Sequence, residues 1–275
     1  MTSNTKIASA LSVVAATVGI AAYGAADPAN VQSAGAPSST QTFVQTAASV
    51  AKPPGANLPQ GSEHVELDPA EFTTKINNPY WPMAPGNKWV FSETDTIGGH
   101  EKVVVKVLDK TKMIANGIEA RVIRDTVTEK GVPVEITDDW FAQDSAGNIW
   151  YLGEYVTNYK NGEVVDHDGS FEAGVEGAEA GVVMPAHPKA GMEFRQEYYK
   201  GVAEDKAAIV TVGDEQVQVP FGYFKKDLVM TRDLVPLEPK VEELKFFAPG
   251  VGPLLSVHTD GTGGRGELVS FTKGD

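Results

Sequence analysis

The sequence has no cysteine and few basic residues for its length. The lack of cysteine excludes disulfide bonds, thiolate zinc and iron–sulfur sites, cysteine nucleophiles and a lipid-modified cysteine. The 23 lysines and arginines are outnumbered by 37 aspartates and glutamates, which gives a net charge of −14. Because nucleic acids and anionic lipids are bound by basic surfaces, this charge argues against both as partners. It favours a solvated acidic surface or the attraction of cationic ligands.

Catalytic motifs with a fixed local spacing are also missing. The chain has no Gly-x-Ser-x-Gly elbow, no His-Glu-x-x-His motif and no glycine-rich dinucleotide fingerprint. The five histidines are never two or four residues apart, so the sequence encodes no local zinc site. Any active site must therefore be assembled from residues that are distant in the chain.

The N-terminal region has the pattern of an export signal followed by a linker. Lys6 is the only charge before an alanine-rich apolar run at 7–22, and small residues suited to cleavage follow it. Residues 1–26 are predicted to be a signal peptide, with an uncleaved anchor as the alternative and no stable membrane span after cleavage. Residues 27–62 have a low-complexity composition that predicts a disordered linker. We expect the protein in the periplasm or outside the cell.

Residues 63–275 are predicted to form a single antiparallel all-β domain. About a dozen apolar-rich segments, including 88–94 and 228–234, are separated by turn residues at hairpin spacing, such as Asn161 and Gly162, and no helices alternate with them. The predicted architecture is an antiparallel sandwich or a strongly curved sheet around a pocket. One short helix is expected from the N-cap Asp68 to about Ile76. In the proline-rich segment at 77–86, Trp81 is expected to be part of a packing lid or of a ligand-stacking platform.

The hairpin at 138–154 is predicted to lie at the centre of the sheet. Its returning strand, 149–152, is apolar on both faces, which is typical of a strand covered on both sides. This strand ends in Gly153 and Glu154, so a carboxylate directly follows a buried run. The stretch at 166–192 is rich in glycine and acidic residues, and we expect it to be a functional or mobile loop.

Several segments resemble an uncharacterised family of exported bacterial β-proteins. These segments are 78–86, 89–91, 140–144, 147–154, 184–188, 195–199, 203–205 and 247–252. The resemblance covers about residues 72–269 and implies export and a β fold, but no reaction and no catalytic residues. A looser resemblance, in fold alone, is to curved-sheet carriers of the periplasm, which hold apolar ligands.

The strongest candidate site is the segment from Arg195 to Tyr199. On a regular strand, Arg195, Glu197 and Tyr199 share one face. That face is either a solvated ion-pair surface or the lining of a concave sheet. In the second case, Arg195 would clamp an anion while Glu197 and Glu154 act as acid and base. The predicted ligand-binding residues are Tyr151, Gln196, Tyr199, Glu204, Asp205, Met184 and His187.

Copper and calcium are the metals that the sequence offers as alternatives, and no other cofactor is predicted. Met184 and His187 are ligand types that copper uses, and His167 or His258 would complete the set; packing is the other interpretation. Calcium would take oxygen ligands from the turn at 166–169 or from the central turn, although neither matches the EF-hand spacing. The candidate ligands around the central turn are Asp138, Asp139, Asp144 and Asn148.

Three functions from different classes fit these observations. The first is an exported small-molecule-binding protein, because export and a large sheet with polar inner residues coincide with the lack of a known catalytic motif. The second is a lyase or hydrolase that uses Glu197 or Glu154 as acid–base and Arg195 as anion clamp. The third is a structural envelope protein, which would enclose no pocket.

Overall fold

A computed structural model describes residues 58–95, 99–259 and 264–274 of the chain. The predicted signal peptide at 1–26 and most of the predicted linker at 27–62 lie outside these residues. Within the described ranges, the regular structure consists of β-strands and one 3₁₀ turn. This part of the chain contains no helix with the length and hydrophobicity needed to cross a membrane.

Eighteen strands make up the β structure of the described residues. In chain order they are β1 (Phe72–Thr73), β2 (Lys88–Thr94), β3 (His100–Met113), β4 (Glu119–Glu129), β5 (Val132–Asp144), β6 (Ile149–Lys160), β7 (Glu163–Asp166), β8 (Phe171–Glu172), β9 (Glu179–Met184), β10 (Glu193–Arg195), β11 (Glu197–Tyr198), β12 (Lys206–Gly213), β13 (Val217–Val219), β14 (Gly222–Phe224), β15 (Leu228–Leu234), β16 (Glu242–Ala248), β17 (Gly252–His258) and β18 (Arg265–Thr272).

Sixteen of these strands form one antiparallel sheet that curves until it nearly closes. From β2 to β6, neighbours in the chain are neighbours in the sheet, and β6 then pairs with β9 and β9 with β11. In the other direction the sheet runs from β2 through β18, β17, β16, β15 and β12 to β10. Because β10 and β11 are separated only by Gln196, one short stretch pairs with both ends of the sheet. The curved-sheet prediction is confirmed as a barrel-like sheet, and the sandwich alternative is wrong.

The helix start predicted at Asp68 is a single 3₁₀ turn, Pro69–Glu71. The Asp68 carboxylate accepts the Ala70 N–H at 3.0 Å, as expected of an N-cap. The chain is extended from Phe72 onwards instead of continuing as a helix to Ile76. The reason is tertiary, because β1 pairs with β5 and the Phe72 ring meets Trp150 edge-on with centroids 6.1 Å apart.

The stretch at 166–192, predicted to be a functional or mobile loop, instead contributes two strands, β8 and β9, to the sheet. Most of β9 is buried, and it pairs with β6 on one side and β11 on the other. Its glycine content has a packing reason at Gly181, where an added Cβ would collide with the carbonyl of Gln196. The backbone approach that closes the sheet therefore requires glycine at this position.

An aromatic layer fills the interior beneath the proline-rich segment. Trp81 is almost fully buried, and its ring lies 6.0 Å from Phe141 and 5.7 Å from Phe247, measured between centroids. The Trp89 indole N–H donates to the Val251 carbonyl at 2.7 Å. The side chain of Trp81 thus packs as part of the core.

Candidate functional site

Further along the same strands, acidic side chains occupy the interior positions that aromatic side chains hold in the layer described above. In β2, Phe91 is followed by Glu93; in β5, Asp139 precedes Phe141. Since residues two apart on a strand share a face, these carboxylates point to the same side as the aromatic core. Nine acidic side chains of the described residues are less than a tenth exposed: Glu93, Asp125, Glu135, Asp139, Glu154, Glu197, Asp205, Asp233 and Glu243.

Five of these side chains and the tyrosine between them form what we call the carboxylate cluster, which consists of Asp125, Glu135, Asp139, Tyr151, Glu154 and Glu197. Asp139 on β5 and Glu154 on β6 are direct partners across the sheet. Directly opposed residues on antiparallel strands have Cβ atoms about 5 Å apart. The Tyr151 hydroxyl donates to Asp139 Oδ1 at 2.8 Å, and both side chains are buried. Asp125 on β4 is the partner of Thr137, two residues from Asp139.

A β-bulge brings Glu154 to the same face as Tyr151. Asp139 pairs with Glu154 but Phe141 pairs with Tyr151, so β6 has one more residue than β5 in this interval. The extra residue is accommodated at Gly153, which has φ of +126°. An added Cβ at Gly153 would collide with the Phe171 carbonyl. Without this glycine, regular alternation would place Glu154 on the face opposite Tyr151.

Glu197 reaches the cluster from β11, the strand that closes the sheet. It is 2% exposed and pairs with Ala180 of β9. Burial raises the pKa of Glu197 well above its usual value, and the charges of Asp205, Glu154 and Asp139 raise it further, while Lys245 lowers it. Glu197 is thus a further buried carboxylate of the interior, with an oxygen that has no hydrogen-bond partner among the described residues.

Burial and mutual repulsion raise the pKa of every cluster carboxylate for which a shift is resolved. Burial raises the pKa of Asp139 from 3.8 to about 7, against the opposing effect of the Tyr151 hydrogen bond. Burial, with the neighbouring Asp139, raises the pKa of both Glu154 and Asp125 well above their usual values. Two or more carboxylates in a dry site cannot all ionise without a compensating positive charge.

Several oxygens of the cluster have no hydrogen-bond partner in the described part of the chain. They are Glu154 Oε2, Glu197 Oε2 and both carboxylate oxygens of Asp125. An unpaired polar group in a protein interior costs free energy, and an unpaired charge costs more. The cluster is therefore stable only if its carboxylates hold protons or bind a cation.

A second group, the Lys245 cluster, contains a positive charge of its own and consists of Asp205, Asp233, Glu243, Lys245 and His258. The Lys245 ammonium lies 2.9 Å from Asp233 and 3.2 Å from Glu243. Burial alone would lower the pKa of Lys245, but these two carboxylates raise it above its usual value. Burial raises the pKa of Asp205 to about 8, although Lys245 acts to lower it. His258 Nε2 lies 3.9 Å from Glu243.

A small cavity of about 20 Å³ lies beside the Lys245 cluster. Its walls are formed by Trp81, Val183, Gln196, Thr231, Asp233, Lys245, Phe247 and Pro253. The Gln196 amide donates to Asp233 Oδ2 at 3.4 Å. Such a volume holds about one water molecule, whereas sites for organic ligands usually measure ~300–1,000 Å³.

Arg195, predicted to share a face with Glu197, forms none of its hydrogen bonds with the carboxylate cluster. Its guanidinium donates to the backbone carbonyls of Ala180, Gly61 and Glu63. The strand is interrupted at Gln196, and regular alternation does not continue across this position. Arg195 thus connects the closing seam to Gly61 and Glu63, at the predicted start of the domain.

The other predicted site residues are divided between the buried polar clusters, the hydrophobic core and the surface. Tyr151, Glu154 and Glu197 come together in the interior, with Gln196 and Asp205 next to them. The remaining four residues make contacts elsewhere. Tyr199 donates to Glu176 at 2.8 Å, Glu204 accepts from the Gly201 N–H, Met184 is in the hydrophobic core and His187 is exposed.

The residues predicted for metal sites are not arranged around common points. The predicted copper ligands are separated, because Met184 lies in the core and His187 lies on the surface. Asp138 pairs with Arg124 at 2.7 Å, while the adjacent Asp139 faces the interior. Two other candidates make hydrogen bonds within hairpins. The Asp144 carboxylate accepts from the side chains of Asn148 and Trp150, and the Asp166 carboxylate accepts from Asn158. Among the described residues, no three His, Asp or Glu side chains form a ready-made metal site.

Sequence analysis missed the contribution of Asp125, Glu135, Asp233, Glu243 and Lys245. A signal was present in β4, where Asp125 lies between Ile123 and Val127 on the apolar face of the strand. An acidic residue at such a position is expected to be buried. The same signal marks Glu243 in β16, two residues before Lys245 and four before Phe247.

Comparisons with known proteins find two solved structures that match the chain at low identity. No protein-family model and no curated protein matches the chain. A protein from Parabacteroides distasonis, described as a candidate lipoprotein, is 14% identical with a TM-score of 0.39, and the match covers 71% of this chain and 99% of that one. A β-barrel-like protein with a domain of unknown function, from Brucella abortus, is 12% identical with a TM-score of 0.36, covering 69% and 98%.

Proposed function

We propose that this protein is an exported binding protein that takes a small cation at the carboxylate cluster. The observation that carries the proposal is the set of buried, unpartnered oxygens on Glu154, Glu197 and Asp125. No lysine or arginine of the described residues forms an ion pair with these three side chains or with Asp139. A cation from solution would supply the missing positive charge.

The Lys245 cluster supports this interpretation by comparison within the same molecule. Asp233 and Glu243 are direct partners across β15 and β16, as Asp139 and Glu154 are across β5 and β6. The first pair is neutralised by the Lys245 ammonium at 2.9 and 3.2 Å. The second pair has the same arrangement without a basic side chain. A bound cation would take the role that Lys245 has in the other pair.

The energies involved make a compensating charge necessary when the cluster is ionised. The effective penalty for burying one uncompensated ion is several kcal/mol, and a folded domain is stable by only about 5–15 kcal/mol. Four ionised carboxylates in the interior would therefore exceed the stability of the fold. Export follows from the predicted signal peptide, and the net charge of −14 favours encounter with cations.

The enzyme alternative has less support. Its acid–base residues, Glu154 and Glu197, lie together, but Arg195 makes its hydrogen bonds with backbone carbonyls and offers no anion clamp near them. The cavity next to Gln196 is also too small for an organic substrate. A binding role needs neither an anion clamp nor a large pocket.

Isothermal titration calorimetry of the full chain at pH 8, after treatment with a chelator, tests the proposal. The panel consists of sodium, magnesium, calcium, manganese, choline and spermidine. We expect one of these cations to bind the unmodified protein and the Glu204→Gln control, whose substitution is in a surface turn. Glu154→Gln should lose that binding while retaining the circular dichroism of the parent. Equal binding by Glu154→Gln, or binding of no cation, would contradict the proposal.

A further inference from the structure

We infer that the outer face of β2, β3 and β4 is a docking surface for an anionic lipid bilayer. Four basic side chains define this surface, which we call the basic face: Lys88 on β2, Lys102 and Lys106 on β3, and Arg124 on β4. Lys88 is half-buried and the other three are exposed. The inference is independent of the cation-binding proposal, because it concerns the opposite side of the sheet.

Basic and acidic side chains are segregated between the two sides of these strands. The residues that alternate outward along 88–93, 100–106 and 124–128 are Lys88, Val90, Ser92, His100, Lys102, Val104, Lys106, Arg124, Thr126 and Thr128. None of them is acidic, whereas the acids of the same segments, Glu93, Glu101 and Asp125, occupy the alternate positions. A chain with 37 acidic and 23 basic residues thus has one face without a carboxylate of its own.

The strand register places three of the basic residues in one row. Lys88 is the direct partner of Lys106, and Lys106 is the direct partner of Arg124. Directly opposed side chains have Cβ atoms about 5 Å apart, and like charges in this position destabilise a sheet. Lys102 lies four residues along β3 from Lys106, which is about 13 Å. Such a row has a physical reason if an external anionic surface neutralises it.

The protein itself leaves most of this positive charge uncompensated. Among the described residues, the three lysines of the basic face form no ion pair. Two carboxylates border the face, and each has a basic partner. Asp138 on β5 pairs with Arg124 at 2.7 Å, and Glu267 on β18 pairs with Arg265 at 2.8 Å. Three lysine charges therefore remain for a partner.

The side chains between the basic residues favour a lipid surface over other polyanions. Val90 and Val104 are half-buried direct partners, and Thr126 is the next residue in their row. Lysine stems and small apolar side chains suit the boundary between headgroups and acyl chains, where the ammonium groups reach the phosphates. The outward positions of these segments include no aromatic ring on which the bases of a single-stranded nucleic acid could stack.

The net charge of −14 does not prevent such docking. At physiological ionic strength, exposed charges are screened beyond about 8 Å. Acids on the other sides of the barrel therefore act weakly on the basic face, while each lysine near an anionic membrane strengthens binding by about fivefold. The total charge argues against an anionic partner, but the register of the strands decides where that charge lies.

Vesicle co-flotation of the full chain tests the inference, with mixed phosphatidylglycerol–phosphatidylcholine vesicles compared with phosphatidylcholine alone. We expect stronger binding to the anionic vesicles, and this excess should fall as sodium chloride rises from about 0.05 to 0.5 M. The double substitution Lys102→Gln and Lys106→Gln should lower the anionic partition coefficient by about 25-fold. The matched control, Lys200→Gln with Lys206→Gln, should leave it unchanged. It removes two exposed charges on and before β12, which β15, β16, β17 and β18 separate from β2.

The apolar run at 7–22 is the same in every variant, so its own affinity for lipid does not enter these comparisons. Equal binding to the two kinds of vesicle would overturn the inference, as would anionic binding that the Lys102 and Lys106 double variant retains. Binding of soluble polyphosphate without binding of vesicles would overturn the assignment to lipid. Because both substituted lysines are exposed, the double variant should keep the circular dichroism of the parent. The comparison of vesicles and salt is made on the unmodified protein and holds even if that variant fails to fold.

Discussion

Without bound cations, the protein should lose stability as the pH rises from about 4 to 8, which is opposite to ordinary acid denaturation. Asp139 shows why, since burial raises its folded pKa to about 7 from an unfolded value of 3.8. Between these two values the folded state holds a proton that the unfolded state has released. The contribution to stability is therefore fully present below about pH 4 and is lost as the pH rises through 7.

The size of the effect follows from the shift of about three pH units. Each unit corresponds to ~1.4 kcal/mol, so Asp139 alone accounts for ~4 kcal/mol. The groups that face it act in the same direction, because the pKa values of Asp125 on β4, Glu154 on β6 and Glu197 on β11 are also raised. Glu135 on the same strand adds to the repulsion. Since these groups titrate together, their contributions do not simply add.

Urea denaturation at pH 5, 6, 7 and 8, with a chelator present and tryptophan fluorescence as the signal, measures the effect. We expect the free energy of unfolding to fall by roughly 3 kcal/mol between pH 5 and 7. Asp139→Asn should remove much of this fall. Asp109→Asn is the control, because this side chain is 98% exposed and lies outside the cluster. A free energy that stays constant or rises over this range would refute the reasoning.

Three further substitutions, with Gly213→Ala as a control, test the bulge, the Lys245 cluster and the closing seam, each by urea denaturation at pH 8. Gly153→Ala should destabilise the protein by about 3 kcal/mol or more, because its φ is +126° and its Cβ would meet the Phe171 carbonyl. Gly213→Ala, where the nearest atom is 3.7 Å away, should cost under ~1 kcal/mol, and an equal cost at both positions would contradict the bulge argument. Lys245→Met should cost ~3–5 kcal/mol by leaving two carboxylates unpaired. Arg195→Lys should cost ~2–3 kcal/mol, because an ammonium cannot reach all the carbonyls that the guanidinium binds, and a neutral result would argue against that role.

The sequence by itself determined the fold class and most strand positions. Lys88–Thr94 and Leu228–Leu234 are strands with the predicted bounds, because alternation of apolar and polar residues is a local property. The predicted turn at Asn161 and Gly162 is present, with φ of 56° and 81°. Turn chemistry depends on adjacent residues alone, so a single sequence suffices to identify it.

Only the tertiary structure decided which of these strands' side chains share the interior. The closure of the sheet depends on pairing between β9 and β11, which lie far from β2 in the chain. A single bulge at Gly153 moves Glu154 to the face of Tyr151, and the interruption at Gln196 separates Arg195 from Glu197. Because side chains alternate with a period of two, one extra residue reverses every later assignment of face. The carboxylate cluster is therefore a product of register, which is set by contacts between distant strands.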